Sequence, residues 1–253
     1  MKGIFIIMSA CLAFQQGALA HEGARVELEL ESSSVLPAGN VEIDFQLIDE
    51  ENKTLLTDQD LSISHEKKLH LFIFDEALKE FRHEHPEYVN SRWQIITNLS
   101  VNGNYKIWAQ GTIASDSEEF SSDADIGIKG GSTANPTPPV LGDVRSGMDG
   151  ISKVTLSNTK IVTGKMAMLT AKFTRTDGST VALTPYLGEM AHIVSTPSAG
   201  DSLIHVHPMS TGKPDELMVH AQLPKTGDYR LWVQFIDGNI LRVVPLSVTV
   251  VAK

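Results

Sequence analysis

The chain of 253 residues has one cysteine, Cys11, and that scarcity removes whole classes of chemistry. Without a second thiol there is no internal disulfide, no thiolate zinc cluster and no Cys-x-x-Cys redox pair. Basic residues are also few: 21 Lys and Arg stand against 31 Asp and Glu, a formal charge of −10. A surface of that sign repels nucleic-acid phosphates and anionic lipid, and draws cations only weakly and without specificity. Long apolar runs are missing after the first twenty residues, so no transmembrane span is expected. Helical periodicity is nearly absent, and so are the catalytic signatures a sequence can display. There is no Gly-x-Ser-x-Gly elbow, no phosphate-cradling glycine loop and no His-Glu-x-x-His. A non-enzymatic protein is expected.

Residues 1–20 carry Lys2, an apolar run from Ile4 to Phe14 and the ending Ala18-Leu19-Ala20, which together read as a secretory signal peptide. Cys11 lies inside it, with a lipoprotein cysteine after Met8-Ser9-Ala10 as the alternative. A periplasmic or secreted product follows. Cleavage after Ala20 would expose His21, whose α-amino group and ring nitrogen can chelate one ion in a T-shaped copper site. A copper oxidase or monooxygenase using His21 is the minor enzymatic alternative.

What the chain does contain is strand signal. Period-two runs rich in Val, Ile, Phe and Thr recur from Ala24 to Val250, with one short helical turn expected around Glu76 to Lys79. Between Lys129 and Asp143 the composition turns to Gly, Ser, Thr, Asn and Pro, read as a linker between domains at 21–128 and 144–253. The two halves repeat each other: His70, His83, His85 and Pro86 match His192, His205, His207 and Pro208 at constant offset, and Leu99, Gly103, Tyr105, Trp108 and Gln110 match Leu223, Gly227, Tyr229, Trp232 and Gln234. Leu-x-x-x-Gly-x-Tyr before a strand resembles the tyrosine corner of immunoglobulin-like sandwiches. The expected fold is therefore all-β, two tandem immunoglobulin-like β-sandwich domains related by internal duplication, with Tyr105, Trp108, Tyr229 and Trp232 as structural aromatics.

The histidines carry the chemical signal. His83-x-His85 and His205-x-His207 each place two imidazoles on one face of an extended segment, with His70 and His192 thirteen residues upstream. Their neighbours have diverged between the copies, Phe81 against Leu203 and Glu84 against Val206, while the imidazoles remain. Three imidazoles in each half suit copper or zinc. Hydrogen bonding to loop carbonyls is the structural alternative. The second copy adds soft donors, Met190 two residues before His192 and Met209 after Pro208, and His220, where the first copy has Ile96, is read as a fourth ligand or a plain strand residue. His65 reads as an exposed loop residue, and Asp116, Glu118, Glu119, Asp123 and Asp125 as a solvated acidic loop.

Leu69-His70-Leu71-Phe72 with Phe81-Arg82-His83-Glu84-His85-Pro86, and Pro185 to His192 with His205-Val206-His207-Pro208, resemble a group of secreted bacterial His-x-His-Pro β-sandwich proteins. They are also similar in outline to the YtkA-like and CopC-type periplasmic copper-handling proteins. That resemblance implies a periplasmic or cell-surface location and a copper-linked role, with departures in the duplication and in the lack of a methionine-rich loop. The expectation is a metal buffer, chaperone or resistance factor binding copper, alternatively zinc, at one site in each half. Its partner would be the ion and another periplasmic metal-handling protein. A tandem adhesion or assembly module with structural histidines is the competing reading.

Overall fold

The computed structural model describes residues 25–133, 141–206 and 208–253; the expected signal peptide, Cys11, His21 and His207 lie outside them. The first half forms β1 (Val26–Leu30), β2 (Val35–Pro37), β3 (Gly39–Asp49), β4 (Thr54–Leu55), β5 (Leu69–Asp75), β6 (Phe81–Glu84), β7 (Glu87–Val89), β8 (Arg92–Leu99), β9 (Gly103–Thr112) and β10 (Glu119–Lys129). The second forms β11 (Ser146–Asp149), β12 (Ser152–Leu156), β13 (Ile161–Val162), β14 (Met166–Arg175), β15 (His192–Pro197), β16 (Ile204–Val206), β17 (Met209–Ser210), β18 (Glu216–Gln222), β19 (Gly227–Asp237) and β20 (Ile240–Val251). Each half is a two-sheet sandwich. The first pairs β1-β3-β8-β7, with β4 beside β3, against β2-β10-β9-β5-β6; the second pairs β11-β12-β14-β18-β17 against β13-β20-β19-β15-β16.

Alternation builds each core. In β3, Val41, Ile43, Phe45 and Leu47 point inward between Glu42 and Asp44, the pattern of a sheet with one wet face. They meet Trp93, Leu99, Ile107 and Ile126 in the first core, and Val154, Leu169, Phe173, Leu217, Phe235 and Val248 do the same in the second. Both tyrosine corners form: the Tyr105 hydroxyl donates to the Val101 carbonyl at 3.0 Å and that of Tyr229 to the Lys225 carbonyl at 3.2 Å. Gly103 and Gly227 open the same strands at φ 147° and 113°, values a side chain would strain.

Two expectations need correction. No helix forms at Glu76 to Lys79, because the Asp75 carboxylate takes the Lys79 and Glu80 amides at 2.7 and 2.9 Å and closes a turn. The acidic cluster is no solvated loop: Glu119, Asp123 and Asp125 lie on β10, Lys106 pairs with Asp123 and Asp125, and Arg25 pairs with Asp116 and Glu118. At the two ends of the expected linker, the Gly131 amide donates to Asn102 Oδ1 and Leu141 is buried.

A third apolar core lies between the sandwiches: Phe72, Phe74, Leu78, Phe81 and Trp108 of the first pack with Leu141, Val194, Leu203 and Trp232. Strands β5 and β15 are consequently buried on both faces along their whole length. The Phe81 and Trp232 rings stack at 4.5 Å, and Arg230 donates through Nε to the Leu78 carbonyl at 3.1 Å. Among the described residues no helix is long and apolar enough to cross a membrane.

Because Trp232 belongs to this third core and to neither sandwich core, Trp232→Ala should cost about 3–5 kcal/mol and fall on docking. Urea denaturation should resolve two transitions where the parent shows one, with the far-ultraviolet strand signal kept. A single transition at the parent midpoint would contradict this.

Candidate functional site

The histidines stand where the two hairpins meet. His70 is on β5 opposite Gln110 of β9, and His83 on β6 opposite Phe72. In the second half His192 faces Gln234 across β15 and β19, and His205 faces Val194. On β5, Leu69, Leu71 and Ile73 fill the sandwich core, so His70, Phe72 and Phe74 take the opposite face. That face is covered by the other domain. The histidines of the two halves are thereby brought side by side across the domain interface. Ring centroids of His70 and His205 lie 5.9 Å apart and those of His83 and His192 5.8 Å. Since His70 corresponds to His192 and His83 to His205, these contacts are reciprocal, as across an isologous interface.

Hydrogen bonds orient the rings the same way in both copies. His70 Nε2 donates to the Ser64 carbonyl at 3.0 Å, and His192 Nε2 to the Tyr186 carbonyl at 2.8 Å. A carbonyl only accepts, so in each neutral ring Nε2 carries the proton and Nδ1 carries a lone pair. His83 Nδ1 meets Gln234 Oε1, from the other domain, at 2.7 Å; donating there leaves His83 Nε2 bare as well. Yet His70 Nδ1 and His83 Nε2 are 3.0 Å apart. Two lone pairs at that distance repel unless a proton or a metal ion lies between them.

Burial argues against the proton. Desolvation lowers the pKa of His70 and pushes that of His83 well below the ordinary imidazole value, with His70 and His85 adding to the effect at His83. Desolvation likewise brings His85 down to about 3 and His192 to about 4. A metal ion fits better. His70, His83 and His85 each offer a nitrogen within 4.8 Å of the others, and His85 Nε2 is buried with no hydrogen-bond partner among the described residues. The second pair, His192 Nδ1 and His205 Nε2, is 3.3 Å apart. With metal–nitrogen bonds of ~2.0–2.1 Å, separations of 3.0 and 3.3 Å subtend about 95° and about 107° at a shared ion. Ligating histidines usually donate their other N–H to a carbonyl or carboxylate, as His70 and His192 do.

The sequence reading misplaced or missed several neighbours. His65 is half-buried, its ring 6.4 Å from His70 and 6.1 Å from His192, its Nδ1 3.6 Å from Glu189 of the other domain. It sits at φ 50° with Glu66 at φ 64°, in the turn whose counterpart is Leu187-Gly188. Neither the cluster role of His65 nor that of Gln234 was read, although Gln234 stands among the repeat matches. Met190 is in a bend before β15, 37% exposed. Met209 and His220 lie on β17 and β18, in the sheet that does not carry His192 and His205.

The sequence pattern of a domain of unknown function, DUF8832, matches this chain twice, over residues 19–125 and 146–252. The chain belongs to the DUF8832 family. Its two copies of the DUF8832 domain correspond to the two sandwiches, and the family description states no activity. No curated protein matches the chain. Solved structures similar to it include the Escherichia coli adhesin FdeC, at 13% identity over 92% of this chain and 66% of that one, with a TM-score of 0.29. The fibronectin(III)-like modules of Clostridium thermocellum CbhA match at 12% identity over 88% and 94%, TM-score 0.24. A mutant Salmonella alpha-2-macroglobulin matches at 12% over 93% of this chain and 15% of its own, TM-score 0.30. Likeness at this level carries no functional argument.

The lowered imidazole pKa values make stability depend on pH with a definite sign. The unfolded chain takes up protons on these histidines near pH 6.5 and the folded chain only at lower pH, so acid favours unfolding. The contribution is fully present above about pH 6.5 and is lost as pH falls toward 4 and 3, the values at His192 and His85. The urea midpoint should drop through that window, and His85→Gln should flatten the dependence; a midpoint level from pH 7 to pH 4 would contradict it.

Proposed function

We propose that this DUF8832 protein binds a transition-metal ion, copper or zinc, in the histidine cluster between its sandwiches and acts as a non-enzymatic buffer, chaperone or resistance factor. The supporting observation is the convergence of bare nitrogens from His70 and His83, 3.0 Å apart in a desolvated setting, beside the unpartnered Nε2 of His85. The Ser64 carbonyl and Gln234 hold the tautomers of His70 and His83 that leave a lone pair on each of those nitrogens. The Phe72 ring, stacked on His83 at 4.4 Å, excludes water from one side. His65 and His85 are partly exposed and form the side from which an ion would enter. The expected setting is the periplasm or cell exterior, with another metal-handling protein as donor or acceptor.

Calorimetric titration of the metal-free protein with Zn(II) and Cu(II) at pH 7.5 should give saturable binding. Gln234→Leu should weaken it ~10–100-fold by releasing the His83 tautomer, and His83→Gln with His85→Gln should abolish it in a folded protein. Affinity should fall as acid protonates the ligands.

A second reading has its own observation. The same rings pack on Phe72 and on each other inside a domain interface, as cement in a tandem immunoglobulin-like adhesion or assembly module. Under that reading His83→Gln with His85→Gln loosens the domains, and the parent takes up no metal.

A further inference from the structure

The two halves differ on the outward face of one sheet. In the first sandwich the ladder between β3 and β8 sets Asn40 against Asn98, Glu42 against Ile96 and Asp44 against Gln94. That face is tied by hydrogen bonds: Gln94 Nε2 donates to Glu42 Oε1 at 2.6 Å and to Asp44 Oδ1 at 2.9 Å, and Asn98 Nδ2 to Asn40 Oδ1 at 3.1 Å. It is the ordinary polar surface of a sheet in water.

The repeat places Met166, Met168 and Thr170 at the β3 positions and Met218, His220 and Gln222 at the β8 positions. Met168 stands directly across from His220, Met218 across from Thr170 on one side and from Met209 on the other. Their neighbours Leu169, Leu217 and Val219 fill the core, so period two turns Met168, Met218 and His220 outward together. Directly opposed residues on one face have Cβ atoms roughly 4.5–5.5 Å apart, close enough for flexible thioethers to meet.

Exposure and satisfaction point the same way. Met166, Met168 and Met209 are 51%, 56% and 48% exposed, on positions that the sister domain fills with amides and carboxylates. His220 Nε2 is buried and has no hydrogen-bond partner among the described residues. Beyond the first twenty residues, every methionine of the chain lies in the second half. A polar ladder has been exchanged for thioethers around one unsatisfied imidazole. Thioether sulfur is a soft donor that selects monovalent copper and its analogues over zinc, magnesium or calcium.

We propose that the outward face of β14, β18 and β17 is a second metal site, for a soft monovalent cation such as Cu(I), built by Met168, Met218 and His220 with Met209 beside them. It is chemically distinct from the imidazole cluster and does not depend on that cluster binding metal. A protein with both would separate ions by softness: nitrogen ligands between the domains, sulfur ligands on the outer sheet.

The test uses the full chain, metal-free, with Ag(I) as a redox-inert probe and anaerobic Cu(I) in competition with bicinchoninate. Both ions should bind, and Ag(I) should shift the ε-methyl resonances of Met168, Met209 and Met218 while leaving that of Met148 in place. Met168→Leu with Met218→Leu, a volume-conserving change at partly exposed positions, should lower Ag(I) affinity at least 100-fold with the circular dichroism unchanged. His220→Gln should lower it in the same direction. Zn(II) titration reports on the histidine cluster separately, so loss there leaves this result readable. Unshifted methionine methyls, or Ag(I) affinity equal to the parent in the double variant, would overturn the proposal.

Discussion

Everything distinctive about this protein depends on the burial of two sheet faces against each other. An immunoglobulin-like sandwich ordinarily leaves the outer face of each sheet in water, but here the outer faces of β5 and β15 are covered and both strands are buried at every position. Phe72, Phe74, Phe81 and Trp232 supply the apolar area. Fully burying aromatic side chains of this kind contributes roughly 1.5–3 kcal/mol each, which is more than the polar contacts at the same interface can supply. The histidines are carried into the interface by this packing, since His70 shares a face with Phe72 and Phe74.

That order of causes explains the electrostatics. An imidazole on a wet sheet face would titrate near its ordinary value and be charged in mild acid. Under the other domain it is held neutral, and its lone pairs are withheld from water. Desolvation makes bare nitrogens costly while nothing satisfies them. The contact between His83 and Gln234 crosses the interface, so the tautomer of a first-domain ring is set by the second domain. The docking of the sandwiches and the donor properties of the cluster are one arrangement, which neither half could make alone.

The fold was legible because its signals are local. Alternation in β3 and β14, the Leu-x-x-x-Gly-x-Tyr corners and the repeat of His70, His83 and Pro86 by His192, His205 and Pro208 each follow from spacing along the chain. What spacing does not encode is which outer face is dry. The one available trace was Leu69-His70-Leu71-Phe72-Ile73-Phe74, apolar at nearly every position, where a strand with one wet face would alternate. Read that way it marks both faces as buried, and it forecasts that His70 is covered. His65 was harder, because its counterpart in the repeat is Leu187 and only the turn geometry brings its ring to His70 and His192. Met209 and His220 were grouped with His192 by nearness in sequence, and the crossing from β16 to β17 moves the chain between sheets.

The two copies of the domain are alike in some of their faces and unlike in others. The faces that meet have kept the features that a reciprocal interface requires: the paired histidines, their carbonyl acceptors at the same interval, and Trp108 with Trp232. A change on one of those faces is felt by its partner, because His70 meets His205 as His83 meets His192. The outer sheets carry no such constraint. There the first copy holds amides and carboxylates bonded to one another, and the second holds methionines around His220. The paired histidines are thus alike in the two copies, and the outward faces of these sheets are not.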